Sequence, residues 1–110
     1  MKKGEGRSDI LELVQKAATE RILFLPHAVR QMPHPERMIS PEEVQHVVMT
    51  GEVIEDYSTD PRGQSCLLLG FGEGHRPIHV VCAPKREYLA IITAYLPDPA
   101  QWSSDFTRRR

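Results

Sequence analysis

The sequence predicts an α+β fold in which two or three N-terminal helices pack on a four-stranded antiparallel sheet. Three observations support this prediction. Apolar residues recur at helical spacing up to Gly51, strand-like apolar runs follow it, and the connections between those runs are short. A chain of 110 residues, with 40% hydrophobic and 26% charged residues, has the size and composition of one globular domain.

The N-terminal segment, residues 1–7, is polar and contains glycine, so we expect it to be disordered and a single domain to span residues 8–110. Ser8 and Asp9 are residues that can cap a first helix. The apolar positions of that helix follow at helical spacing: Ile10, Val14, Ala17, Ala18, Ile22 and Leu25.

A second, short helix is predicted over His27–Met32. Pro26 suits its first turn, and Met32 ends it because a residue before a proline avoids helical backbone angles. A stiff loop over residues 33–36 then leads to the third helix.

The third helix has the clearest start signal in the chain. Ser40 can cap it, Pro41 fits its first position, and Glu43 completes a capping box. Gly51 is expected to end it in the left-handed conformation that favours glycine.

Four strand-like runs follow, and short turns between them predict antiparallel pairing in sequence order. The runs are Glu52–Ser58, Ser65–Phe71, Pro77–Ala83 and Tyr88–Tyr95. Trp102 and Phe106 are expected to pack the C-terminal residues back onto the core.

Charge and cysteine content bear on partners and compartment. A net charge of -1 is not that of a strongly basic nucleic-acid binder, although basic residues cluster at both ends of the chain. Cys66 and Cys82 lie in apolar runs and lack a metal-binding spacing. We see no leader peptide and no run long enough to span a bilayer, so we expect a cytoplasmic protein with two buried, reduced thiols.

His79 is the polar residue whose position needs most explanation, because it interrupts an apolar strand. A purely structural interpretation makes it a hydrogen-bonded core histidine. His75 lies about 13 Å away along an extended chain, so the two cannot share a metal ion. We expect no metal and no cofactor.

Strand register decides which polar residues lie beside one another. One register places Arg76 on a face with Thr93 and Tyr95, and a slip of one residue places His79 there instead. The sequence allows both. Histidine, arginine and tyrosine are the groups that a metal-free ribonuclease uses for proton transfer and for charge stabilisation at phosphate. The chain contains none of the phosphate-binding or nucleophile motifs of other enzyme classes.

An ordered set of residues resembles a bacterial family of unknown function, number 4258 among such domains, over about residues 25–110. The set comprises His27-Ala28, Gln31-Met32, Arg37, Ile39-Ser40, Glu42-Glu43-Val44, Gly51, Asp56-Tyr57, Cys66-Leu67, Gly70, Arg76-Pro77, His79-Val80-Val81, Ile92-Thr93, Tyr95, Pro97-Asp98-Pro99 and Trp102.

This resemblance implies a fold similar to RelE/ParE-type toxins and the function of a toxin in a toxin–antitoxin pair. Such a toxin would be a metal-independent endoribonuclease that acts on RNA, and its partner would be a zinc-finger antitoxin of the MqsA type. The resemblance points to six site residues. His27, His79, Thr93 and Tyr95 would be catalytic, and Arg37 and Arg76 would bind phosphate.

Two other functions remain compatible with the sequence. One is a non-catalytic binding domain of the same fold, which the net charge of -1 favours. The other is a small-molecule pocket between the first helix and the sheet.

Overall fold

The computed structural model describes residues 3–61 and 63–110, with side chains from residue 9 onward. Within these residues, three α-helices and one short strand precede a run of four strands. In order they are α1 (Lys3–Glu20), β1 (Ile22–Phe24), α2 (Pro26–Gln31), α3 (Pro41–Thr50), β2 (Glu52–Tyr57), β3 (Ser65–Phe71), a 3₁₀ turn (Glu73–His75), β4 (Pro77–Pro84) and β5 (Leu89–Tyr95).

The five strands form one mixed sheet in the order β1-β5-β4-β3-β2. Strands β2 to β5 pair antiparallel in sequence order, as expected. The prediction of four strands is wrong, because β1 adds a fifth that runs parallel to β5. Two backbone hydrogen bonds extend this pairing at its ends: Leu89 N–H donates to the Arg21 carbonyl at 2.8 Å, and Leu25 N–H donates to the Ile91 carbonyl at 3.0 Å.

Helix α1 differs from its predicted bounds at both ends. It begins at Lys3, within the segment expected to be disordered, so Ser8 and Asp9 lie inside the helix and do not cap it. The segment contains no proline, so nothing in it breaks the helical hydrogen-bond pattern. Met1 and Lys2 lie outside the described residues. At the other end Ile22 leaves the helix for strand β1.

Helix α3 begins as predicted, with a complete capping box. The Ser40 hydroxyl accepts from Glu43 N–H at 3.1 Å, and the Glu43 carboxylate accepts from Ser40 N–H at 3.1 Å. The predicted left-handed Gly51 is wrong, because this residue is extended, with φ −79°. Glycine is needed there for space, since a Cβ would lie 2.6 Å from the carbonyl oxygens of Val47 and Leu69.

The sheet separates two apolar clusters. We call the side that the helices cover the inner face and the opposite side the outer face. The inner face carries the larger core, which includes Ile10, Val14, Val44, Val47, Leu68, Ile78, Val80 and Ile91. The outer face carries a smaller cluster of Ile54, Leu67, Leu69 and Trp102, with Tyr57, Val81 and Phe106 packed against it.

Residues 97–110, which we call the C-terminal segment, cover part of the outer face. Trp102 is buried there and Phe106 is partly buried, as the sequence predicted. The two cysteines belong to the inner core, where Cys66 lies opposite Cys82 on neighbouring strands. Both are buried and free, and a hydrogen bond with Cys66 together with burial raises the pKa of the Cys82 thiol.

Candidate functional site

The register of β4 and β5 decides between the two faces that the sequence allowed. His79 pairs with Tyr95, and Val81 pairs with Thr93. Because side chains alternate along a strand, His79, Thr93 and Tyr95 all lie on the outer face. The alternative face with Arg76 is therefore wrong.

The His79 side chain is buried beneath the C-terminal segment. It is 0% exposed, and both ring nitrogens have partners: Nε2 lies 2.9 Å from the Phe106 carbonyl oxygen and Nδ1 lies 3.2 Å from the Tyr95 hydroxyl. Since a carbonyl only accepts, we assign the proton to Nε2, and Tyr95 then donates to Nδ1. Burial lowers the pKa of His79 and outweighs the hydrogen bond to the Phe106 carbonyl and the charge of Glu55, which both raise it; Arg109 lowers it by the smallest contribution.

A second polar group fastens the C-terminal segment to β2. Arg109 donates to both carboxylate oxygens of Glu55, at 2.8 and 3.0 Å, and Tyr57 donates to the same carboxylate. The Arg109 guanidinium also lies 4.8 Å from the centre of the Trp102 ring. Hydrogen bonding to Arg109 lowers the pKa of Glu55, while burial and Glu55 raise the pKa of Tyr57 to about 12.

Arg76 lies on the other side of the sheet, in an ion pair with Glu43 of α3. Its Nη2 is 2.7 Å from the Glu43 carboxylate, and its guanidinium also donates to the carbonyl oxygens of Arg37 and Met38, at 2.7 and 2.9 Å. Burial opposes ionisation of Glu43. Hydrogen bonds from Arg76 and from the N–H groups of Glu73 and Ser40 outweigh it and lower the pKa of Glu43 to about 2.

The six predicted site residues therefore do not meet in one place. His79, Thr93 and Tyr95 lie on the outer face, whereas Arg76 is bound on the helix side. Arg37 meets Arg76 only through its backbone, because its guanidinium donates to the Gln31 amide oxygen at 2.6 Å. His27 is exposed on α2. The six residues do not form one site, because the sheet lies between His79 and Arg76.

A basic cleft was missed by the sequence reasoning. Lys16 of α1 and the pair Lys85 and Arg86 of the β4–β5 turn line an open cavity of about 390 Å³. Its other lining residues are uncharged: Leu13, Ala17, Gln64 and Pro84. A basic pair in a turn between apolar strands was visible in the sequence, but nothing there indicated that Lys16 would lie beside it.

A second cleft, of about 420 Å³, lies at the opposite end of the strands. His46 and His75 line it together with Glu52, and the His75 ring stacks on Phe71 with ring centres 4.4 Å apart. Among the described residues no group of three or more histidine, cysteine or acidic side chains is placed to hold a metal ion. Within the same residues no helix is long and apolar enough to cross a membrane.

The fold and its clefts define the class of this protein as a small α+β domain with a mixed sheet, helices on one face and a C-terminal segment on the other. The model of the family described as Domain of unknown function (DUF4258) matches residues 24–96, and the chain belongs to that family. The match ends before the C-terminal segment, so the resemblance noted over residues 97–110 lies outside it. No curated protein and no solved structure matches the chain significantly.

Proposed function

We propose that this protein is a non-catalytic RNA-binding domain that holds phosphate groups in the cleft formed by Lys16, Lys85 and Arg86. The observation that supports this proposal is the charge of the cleft. Of the side chains that the structure describes, three cationic ones line it and no carboxylate does. Lysine and arginine around one opening attract phosphate, and an overall charge of -1 does not prevent a local basic site.

The apolar residues of the cleft favour RNA over a small anion. Leu13 is 48% exposed at its rim, and Ala17 and Pro84 add apolar lining beside the cations. An unstacked base or a ribose can pack on such a surface while its phosphate meets a cation, and the Gln64 amide adds a hydrogen-bonding group. We therefore expect single-stranded RNA to bind with little sequence preference.

The surroundings of the predicted acid–base groups favour a binding function over catalysis. His79 has no solvent access and uses both ring nitrogens within the protein. Arg76 is bound to Glu43 and to backbone carbonyls. Neither group is available to a substrate in this arrangement.

The test is the salt dependence of binding to a short, fluorescently labelled single-stranded RNA, measured by anisotropy. Each phosphate contact contributes about 0.7 to the slope of log affinity against log salt concentration, so three contacts give a slope of roughly 2 in magnitude. Replacing Lys85→Gln and Arg86→Gln together should lower it to about 0.7.

The matched control is Arg30→Gln with Arg108→Gln, which removes the same charge from two exposed arginines outside the cleft lining. This control should keep the wild-type slope. An equal decrease of the slope in the two double variants would show that only net charge matters, and would contradict a binding site at this cleft.

A second candidate function is the endoribonuclease toxin that the family resemblance implied. The shared outer face of His79, Thr93 and Tyr95 favours it, because these groups are adjacent and would become a proton-transfer site once the C-terminal segment moved. Its antitoxin would then be the zinc-finger protein expected from the sequence, and a neighbouring gene for such a protein would support it.

The toxin function is tested by expression in bacteria. It predicts growth arrest with RNA decay, lost in Tyr95→Phe and kept in Arg30→Gln. Intact RNA and normal growth on expression of the wild-type chain would contradict the toxin function and would be consistent with the binding function.

A further inference from the structure

A further cavity adjoins the basic cleft, on the outer face of the sheet. We call it the outer hollow; its volume is about 200 Å³, and it is lined by Leu25, Asp60, Gly63, Ser65, Ala83, Lys85, Ala90 and Ile92. Of the described residues, none from the C-terminal segment lines it. The outer hollow is therefore a part of the outer face that this segment leaves open.

Short side chains on three neighbouring strands form the floor of the outer hollow. Ala83 of β4 pairs with Ala90 of β5, and Ser65 begins β3. Because side chains alternate along a strand, Ala83 lies on the same face as Val81, and Ser65 lies on the same face as Leu67. A larger side chain at any of these three positions would fill the space, so the hollow exists because these residues are small.

The remaining apolar lining comes from Leu25 and Ile92, which are both half-buried. Ile92 is the extra residue of the β5 bulge, opposite the junction of Val81 and Cys82. Apolar side chains that line an open cavity gain free energy when an apolar or aromatic group covers them. The lining therefore favours a flat, uncharged occupant.

Lys85 joins the outer hollow to the basic cleft, because it lines both cavities. Its ammonium lies against the turn before β3: a Cβ on Gly63 would be 3.2 Å from the Lys85 Nζ. Gly63 has φ +114°, a backbone conformation that favours glycine, so this turn requires glycine for its geometry as well. The ammonium thus lies beside the outer hollow at the end of the sheet that also carries the basic cleft.

Charge divides the two cavities between the two parts of a nucleotide. The basic cleft attracts phosphate through Lys16, Lys85 and Arg86. The outer hollow contains the carboxylate of Asp60, which disfavours a phosphate there, and its apolar floor suits the face of a base. A phosphate beside Lys85 would leave the attached base within reach of the hollow.

We propose that the outer hollow takes an unstacked base of the RNA whose phosphates lie in the basic cleft, so that the strand crosses the end of the sheet at Lys85. This inference rests on the proposed RNA-binding function and adds the part of the RNA that the outer face recognises. The mostly apolar lining accepts any of the four bases, because every base has an aromatic face.

The experiment compares two fluorescently labelled oligomers with the same number of phosphates: a single-stranded RNA and an analogue that lacks its bases. We expect the wild type to bind the RNA roughly tenfold tighter than the abasic oligomer, in anisotropy at one salt concentration. Ala90→Leu, which fills the outer hollow, should remove that tenfold advantage and leave the affinity for the abasic oligomer unchanged. In NMR spectra, ring currents of a bound base should shift the methyl resonances of Ala83 and Ala90, whereas the abasic oligomer should not.

The matched control is Ala100→Leu, which adds the same side-chain volume at an exposed residue outside both cavities. It should bind both oligomers as the wild type does. If circular dichroism shows that Ala90→Leu does not fold, Ile92→Ser replaces it and should weaken binding of the RNA alone severalfold. Equal affinities of the wild type for the two oligomers would overturn the outer hollow, and so would an unchanged RNA affinity in a folded hollow variant.

The two proposals fail in different ways. If the outer hollow takes no base, both oligomers still bind equally, with a salt slope of roughly 2 in magnitude that Lys85→Gln with Arg86→Gln lowers. If neither oligomer binds in a salt-dependent way, the basic cleft is contradicted, and the outer hollow with it.

Discussion

One ion pair lies on each side of this sheet, and the two pairs differ in their exposure to solvent. Glu43 and Arg76 join α3 to the start of β4 on the inner side, where the Glu43 side chain is 8% exposed. Glu55 and Arg109 join β2 to the C-terminal segment on the outer side, where the Glu55 side chain is 23% exposed and the Arg109 side chain 63%. Both pairs have short contacts, of 2.7 and 2.8 Å.

The difference in exposure gives the two pairs different consequences. Losing Arg76 leaves a carboxylate in a poorly solvated place, which is costly, whereas losing Arg109 leaves a carboxylate that water can reach more easily. The inner pair therefore belongs to the permanent structure of the domain. The outer pair joins a terminal segment to the sheet, and we expect this segment to open while the sheet stays folded.

The largest expected effect is that of Arg76→Gln. It leaves Glu43 without its cation, so we expect the free energy of unfolding to fall by about 3 kcal/mol in urea denaturation. Glu43→Gln combined with Arg76→Gln should recover part of that loss, because no buried charge then lacks a partner. A fall of less than about 1 kcal/mol for Arg76→Gln would place this pair in the class of surface pairs.

As the pH falls, the interactions on the two sides of the sheet should be lost at different pH values. The pKa of His79 lies below its usual 6.5 in the folded state, so stability of the outer face is lost as pH falls below about 6.5, when an opened segment lets the imidazole take up a proton. The pKa of Glu43 is about 2 against a usual 4.5, so its contribution, roughly 3 kcal/mol, is present above pH 4.5 and lost between about 4.5 and 2. Hydrogen exchange against pH should show the outer face opening first. Simultaneous opening would contradict the distinction.

Trp102→Ala should have an intermediate effect. It removes the buried anchor of the C-terminal segment, and we expect a loss of about 2 kcal/mol, below the usual value for a core tryptophan because a terminal segment can detach locally. Proteolysis should then cut within residues 97–110 before the strands. Cleavage of the strands and the segment at the same rate would show that they unfold as one unit.

Arg109→Gln should have the smallest effect, under about 1 kcal/mol, since the guanidinium is mostly in water. High salt should diminish the difference between this variant and the wild type, whereas the effect of Arg76→Gln should persist. Thermal unfolding of both variants at two salt concentrations measures this. A salt-independent cost at Arg109 would indicate that its contact with Trp102 outweighs its charge pair.

Local signals predicted much of the fold. The capping box at Ser40 and the period change after Gly51 gave helix α3 and strands β2 to β5 nearly within their bounds, because each depends on neighbouring residues. Strand β1 was missed because three apolar residues directly after a helix continue its periodicity.

The candidate sites were less predictable because they depend on distant residues. Glu43 was recognised as a cap, but its second partner, Arg76, lies 33 residues away. The face of His79 depends on a bulge after Val81 that shifts the register with β5, and no local residue pattern indicates it. Lys16 joins Lys85 only through the packing of α1 on the sheet.

In the free protein, His79 is a structural residue that the C-terminal segment shields from solvent. Nitrogen NMR of the imidazole ring tests this claim directly. We expect a neutral ring protonated at Nε2, with slow exchange of that proton with water. A His79 ring that is doubly protonated at neutral pH, or whose Nε2 proton exchanges rapidly with water, would contradict it.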